Sequence, residues 1–480
     1  MHARFTHTPM NFKNKEIRLL TVEPSSEPSS PIQITMEHFD FGSHIDGLAR
    51  CKEEVARLET EGEVSVEQRE AVYEEFGQET LDFIALSYTW GPESPVQDIL
   101  VTSPDCRGWL SVRQNLYEFL TIRRDCDSAW FWIDQICINQ GTTDEKAHQV
   151  NQMAEVYSAA AVEVWLGSEF EGSDELMDLI VRESIPSTQD PRPKLSVSKR
   201  EMRTFIPPLR RFVRLPYWSR LWVIQEIVLG KVVDIRIGSK TISWDAFFLG
   251  WLRLREAWSS LSITKTDEDL GHYGSSVGAR MWEINARRGQ VDQHWYSVGG
   301  LVWGTECSDL RDRVFGAMGM VQPLFRMFPD YSMQPQDILL MLLTQQVEVT
   351  YAGLDYMDNL EDPDDPDSLH KRNFKEYVAR IRRQTCVLTA EAWLPQLDDD
   401  KSRINPRSIR HHLLKILPLD PPQFGCRIGR TWQFKCYLWY KIPNRRSMRW
   451  RLSHIPNRFK HKAIYPNIAN GIFFTDSDSI

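Results

Sequence analysis

Between Leu81 and Ile237, short apolar runs alternate with stretches of helical period, and this alternation restricts the chain to few architectures. The runs Leu81–Tyr88, Trp130–Ile133, Val162–Leu166 and Val232–Ile237 have strand length. The turn residues Gly91, Pro92 and Gly167 close two of them. Ser111 is placed to cap a helix carrying Val112, Leu116, Phe119 and Leu120 on one stripe. Thr142-x-x-Glu145 has capping-box form and opens a helix with Val150, Met153, Ala154 and Tyr157 at helical spacing. Pro216 and Gly230 bracket a third helix, apolar nearly all round and therefore buried. The order β-α-β-α-β-α-β predicts an α/β fold, a mainly parallel sheet flanked by helices.

The flanks divide the rest. Ile17–Val22 reads as a strand, Pro24–Pro31 as a break, and residues 48–76 as a charged, solvated helix. The expected domains are an N-terminal extension over 1–79 and a core over 80–240. After them come a mostly helical C-terminal region over 241–390, packing on the core, and a basic tail over 391–480. That tail has no clean period and reads as disordered or atypical. Residues 401–480 hold 16 Lys/Arg against 3 Asp/Glu, which leaves the preceding 400 residues at −22 of a total of −9. So acidic a body disfavours nucleic acid as a partner.

Eight cysteines include no CxxC pair and no His/Cys cluster at zinc spacing, so no metal is expected. No apolar run is long enough for a secretion signal or a membrane span, which together with reduced thiols implies a cytoplasmic protein. Gly-rich phosphate loops, GxSxG and HExxH are absent.

Four blocks stand in order along the chain: ALSYTWG (85–91), WIDQICINQ (132–140), QVNQMAEVYSAAAVEVWLG (149–167) and YWSRLWVIQEI (217–227). DLRDRVFGAMGM (309–320) and PDYS (329–332) follow. In these blocks the chain resembles fungal heterokaryon incompatibility (HET) domain proteins, over about residues 17–22 and 80–345. Two positions depart from the family pattern: Gln135 stands where a small residue is common, and Thr142 near a usual Asp. The resemblance implies a role in self/non-self recognition and programmed cell death, triggered by a protein partner or by self-association. HET proteins look like distant relatives of TIR domains, which implies a TIR-like or flavodoxin-like sheet. It also implies a possible substrate, NAD, since TIR enzymes cleave it with a helix glutamate four residues after a Trp. Trp222-x-x-x-Glu226 has that spacing.

Glu226 is the candidate catalytic residue. A carboxylate on an apolar helix is costly to bury unless paired, and its pKa is pushed up there. Catalysis or a structural pairing with Arg220 both accommodate it. Ser219 and Trp222 share its face on a continuous helix. Ser87, Tyr88 and Trp90 close the first strand at its carboxyl end, where parallel sheets place ligand crevices, though a plain turn serves equally. Asp134 either bonds a ligand hydroxyl or shapes its loop, and for Asn139 the loop role is preferred. Gln140, Arg220, Gln225, Asp312 and Arg313 read as structural members of their motifs, with Asp312 and Arg313 capping a helix and bridging to the core. Three functions fit: an incompatibility module, an NAD-cleaving enzyme using Glu226, or an adaptor docking a partner through aromatic surface.

Overall fold

Strand formation begins well before the block ALSYTWG. IRLLTV forms β1 (Ile17–Val22), buried on both faces. β2 (Gln33–Phe39) alternates, with Ile34 and Met36 inward and Gln33 and Thr35 less so, and pairs antiparallel with β1 in register Leu20↔Met36. The computed structural model describes residues 3–333, apart from 26, 28, 77–80, 125–128, 186–197, 261–267, 291–294, 303 and 323–325, and beyond them residue 338 and four short strands between 425 and 451. The described chain divides into two compact units, Met1–Gln290 and Val291–Ile480.

The charged stretch after β2 is two helices, α1 (Phe41–Glu61) and α2 (Val66–Phe76), broken at Gly62. Asp40 caps α1 by accepting from Ser43 N at 3.0 Å. The pair is not wholly solvated, because Cys51, Val55 and Val72 form a small apolar seam. Then come β3 (Ile84–Tyr88) and the hairpin β4 (Val96–Thr102) and β5 (Arg107–Arg113). Ser111 belongs to β5 and lies opposite Asp98, so it caps nothing; α3 (Gln114–Arg123) begins after Arg113. The hairpin left a trace in the sequence, the turn residues Ser103, Pro104 and Asp105 after the β-branched run Val96–Thr102.

β6 (Phe131–Trp132) leads into a one-turn helix, α4 (Asp134–Cys137), and then α5 (Thr143–Ala159). The expected capping box does not form: the Thr142 side chain makes no cap bond, and Glu145 turns inward to Arg18. β7 (Ala161–Trp165) is followed by α6 (Ser173–Ser184), α7 (Lys199–Thr204) and α8 (Ile206–Val213). The stretch from Pro216 to Leu229 is not one helix. A 3-10 turn over Pro216–Ser219 and an extended Arg220 precede α9 (Trp222–Leu229), so Ser219 does not share a helix face with Glu226. Gly230 ends α9 at φ −62°, not in the left-handed region expected of a helix-closing glycine. It is needed for packing: a Cβ there would stand 2.7 Å from Val162 Cγ2 and 2.8 Å from Val233 Cγ2. β8 (Val232–Ile237), β9 (Lys240–Ser243), α10 (Trp244–Ser260) and α11 (Glu268–Arg287) complete the unit.

The sheet order is β5-β4-β2-β1-β6-β3-β7-β8-β9. β6, β3, β7 and β8 run parallel, as the α/β alternation predicts. Around them β1 pairs antiparallel with β2 and β6, β4 with β5, and β8 with β9. The sheet is therefore mixed, not mainly parallel. Hairpins need only a short turn and leave no helix in the sequence to announce them. Tryptophan does core work here: Trp132, Trp165, Trp244 and Trp251 are all but inaccessible.

In the second unit, α12 (Trp295–Val302) and the short α13 (Asp312–Phe315) are helical. Asp312 Oδ1 accepts from Tyr331 OH at 2.8 Å, and Arg313 Nη2 donates to Thr305 O at 2.9 Å. Those bonds tie the DLRDR and PDYS blocks to each other and to the chain just before them. A mostly helical region over 241–390 is not supported as a whole, because its residues from 334 on, 338 apart, lie outside the described ones. The described residues after 400 form two antiparallel pairs, β10 (Gly425–Ile428) with β11 (Thr431–Phe434) and β12 (Tyr437–Tyr440) with β13 (Met448–Arg451). The remaining residues of the tail expectation lie outside the described ones.

Candidate functional site

The end of β3, the turn after β6 and the segment from Tyr217 to Glu226 in α9 converge on one buried polar cluster. β3 is buried from Ala85 to Tyr88, and its alternation sends Ser87 to the face that α9 covers. α9 is apolar except for Gln225 and Glu226, both buried. Glu226 is 2% exposed. Its Oε2 accepts a short hydrogen bond from Ser87 Oγ, and Ser87 Oγ lies 2.7 Å from Tyr217 OH. Ser87 has one proton, so while it serves an ionised Glu226 the Tyr217 hydroxyl must donate to it.

A second carboxylate sits beside the first. Asp134, the first residue of α4, accepts from Trp90 Nε1 at 2.8 Å and from Gln135 N at 2.7 Å. Arg220 lies between the two acids. It donates to Tyr88 O, and its Nη2 stands 3.9 Å from Asp134 Oδ2. The extended backbone at Arg220, squeezed between the 3-10 turn and α9, is what brings this side chain over the end of β3.

Burial dominates the electrostatics. It pushes the Glu226 carboxyl up to about 7, with Arg220, the Ser87 bond and the Tyr157 hydroxyl pulling the other way and Asp134 adding to the rise. Asp134 is likewise raised by burial against the pull of Arg220. For Arg220, burial disfavours the cation, but Glu226 and Asp134 outweigh it and the pKa rises. Burial also drives the hydroxyls of Tyr88, Tyr157 and Tyr217 well above the usual phenol range, so these remain neutral donors. One guanidinium thus faces two acids, and Glu226 holds or releases a proton near neutrality. The chemistry available is proton transfer or charge stabilisation by a carboxyl that titrates at physiological pH.

Of the candidate residues read from the sequence, the structure brings Ser87, Tyr88, Trp90, Asp134, Arg220 and Glu226 into one neighbourhood. Trp222, the first residue of α9, is half-buried beside them in sequence, while Ser219 bonds back to Pro216 O at 3.0 Å within its own turn. Asn139 shapes its loop, accepting from Gly141 N at 3.1 Å, and Gln140 Nε2 donates to Asp134 O at 2.9 Å. Gln135, the departure from the family pattern, accepts from Tyr88 OH at 3.3 Å. Tyr217 was missed as a member of the site, although a phenol in a buried apolar stretch needs a partner. Tyr157 is a core residue as expected, yet its hydroxyl, which donates to Leu86 O at 3.1 Å, also touches the electrostatics of Glu226.

Residues 83–226 match the family model described as heterokaryon incompatibility protein (HET), a span that starts just before β3 and ends on Glu226 itself. Over that span the chain is similar to the HET family. It is 31% identical to heterokaryon incompatibility protein 6, OR allele, of Neurospora crassa, over 34% of this chain and 29% of that relative. The chain therefore covers less than a third of the relative's length. No solved structure matches the chain. Among the described residues no helix is long and apolar enough to cross a membrane, and no group of His, Cys, Asp and Glu could hold a metal ion. Cys51, Cys106, Cys137 and Cys307 are free thiols.

Proposed function

We propose that this protein acts in fungal incompatibility, as a self/non-self recognition module whose output is growth arrest or programmed cell death. The supporting observation is the match over 83–226 together with the named relative, and the matched span encloses the whole Ser87–Asp134–Arg220–Glu226 cluster. In this reading a protein partner or a second copy gathers the domains and the cluster changes state. Inducible expression of the full chain in a fungal host, with and without a fused dimeriser, tests it. Arrest on forced association supports the proposal; normal growth of cells that accumulate folded, dimerised protein rejects it.

A second reading is favoured by one feature, the Glu226 carboxyl poised near neutrality beside Asp134 and two partly accessible tryptophans, Trp90 and Trp222. A carboxylate so placed can stabilise an oxocarbenium-like ribose while the C1′–N bond breaks, with water supplying the new C–O bond and losing a proton. NAD is the substrate this reading names. With Glu226 at 2% exposure, the Ser87 bond must open first. NAD loss with clustered full chain, absent in a Glu226→Gln variant of unchanged melting temperature, supports the enzyme. No loss with either protein rejects it.

A further inference from the structure

The matched HET segment begins at residue 83, yet the turn that carries Asp134 is held from residues 7 and 18. α4 is a single turn, and its last carbonyls have no helical partner. His7 Nε2 donates to Ile136 O at 2.8 Å. Arg18 Nη1 donates to Cys137 O at 2.8 Å. Arg18 also grips Glu145 with both terminal nitrogens, at 2.7 and 3.2 Å, and Nη2 reaches Thr8 O at 2.5 Å. Glu145 Oε1 in turn accepts from Asn139 N at 2.7 Å, just past the end of α4. Three backbone groups within the five residues after Asp134 are thus fixed by side chains of the N-terminal segment and of α5.

Stability alone does not explain this arrangement. Arg18 is 1% exposed and Glu145 5%, and a buried ion pair is commonly no more stable than apolar residues of the same size. What an apolar pair cannot do is bond Cys137 O, Thr8 O and Asn139 N at once, leaving those groups paired inside the protein. The same turn fixes Asp134 by its own carbonyl, through Gln140, and points the carboxylate at Trp90.

We propose that Arg18, Glu145 and His7 are positioning residues of the site: they set the Asp134 turn against Trp90 and Arg220, and so make residues 7–18 part of the working unit. This rests on the Glu226 cluster being the site at which the domain acts, but it is tested without any cellular output.

The test uses the full chain with two variants, His7→Phe and the charge-free pair Arg18→Met with Glu145→Leu. Hydrogen exchange is read at 136–141, and the Glu226 titration midpoint by carboxyl carbon NMR, assigned through its disappearance in Glu226→Gln. Each variant is expected to exchange at least about tenfold faster in that turn, the loss of roughly one hydrogen bond's worth of protection, while β7 exchanges as before. The Glu226 midpoint is expected to fall, because an Asp134 released from the turn no longer raises it. Unchanged exchange in the turn, faster exchange with an unmoved midpoint, or a uniform loss of protection through β7 overturns the proposal. If the paired variant does not fold, His7→Phe decides by the same readings. A silent growth assay leaves the result standing, so the two proposals fail separately.

Discussion

Ser87 and Glu226, 139 positions apart, share a short buried hydrogen bond, and Tyr217 completes the line on the far side of the serine. The direction of that line depends on one proton. With Glu226 ionised it runs from Tyr217 through Ser87 to the carboxylate; with Glu226 protonated the carboxyl can itself donate to Ser87. A group near neutral pH therefore decides the polarity of the cluster.

Stability should record this titration. Glu226 has a folded-state pKa raised from 4.5 to about 7, so the folded protein holds a proton that the unfolded chain releases. Its contribution is favourable below the unfolded value and is lost as pH rises through about 7, by about 3 kcal/mol in all. Glu226→Gln cannot titrate. Melts of the two proteins at pH 5 and pH 8 should show the variant gaining on the wild type as pH rises; a constant difference would refute the assignment.

Ser87→Ala leaves a buried carboxyl and a buried phenol each short of a partner, which should cost about 1–3 kcal/mol. Tyr217→Phe removes one end of the same line, so the double variant should cost less than the two single losses together. Denaturant unfolding of all four proteins measures the coupling. Strict additivity would mean the three groups do not act as one chain.

Arg220→Gln removes the cation that faces both acids. Glu226 and Asp134 should then titrate higher still, because Arg220 lowers both. The variant should lose more than about 2 kcal/mol at pH 8, and distinctly less at pH 5 where Glu226 is protonated. Unfolding free energies at the two pH values check the sign; an equal loss at both would show that Arg220 acts through its bond to Tyr88 O alone.

Gly108 tests the N-terminal arm. Residues 3–5 lie along β5, with Phe5 N bonded to Trp109 O at 3.0 Å and Trp109 N to Ala3 O at 2.9 Å. A Cβ on Gly108 would stand 2.5 Å from Phe5 N and 2.7 Å from the Arg4 carbonyl carbon. Gly108→Val should therefore displace the arm at a cost of about 1–3 kcal/mol. Limited proteolysis should cut the variant near residues 3–6 and leave the wild type intact; equal resistance would show that the arm adapts.

The parallel block of the sheet was legible because apolar runs and helical periods alternate between Leu81 and Ile237, and each parallel crossover needs a helix long enough to show its period. Much of the cluster was legible for a related reason. Glu226 is a charge in an otherwise apolar helix, and Ser87, Tyr88, Trp90 and Asp134 sit at strand ends.

Tertiary structure decided the remainder. Nothing local distinguishes the Thr142–Glu145 pair from a capping box; only the approach of β1 offers Glu145 the Arg18 guanidinium, and a buried bidentate partner outcompetes a cap. Pro216 to Leu229 reads as one helix because every residue tolerates it, yet the chain breaks at Arg220, whose side chain reaches Tyr88 O and the Asp134 carboxylate. Local pattern reports which groups must be buried. Which of them meet, and which proton they share, depends on contacts more than a hundred residues apart that no window of sequence contains.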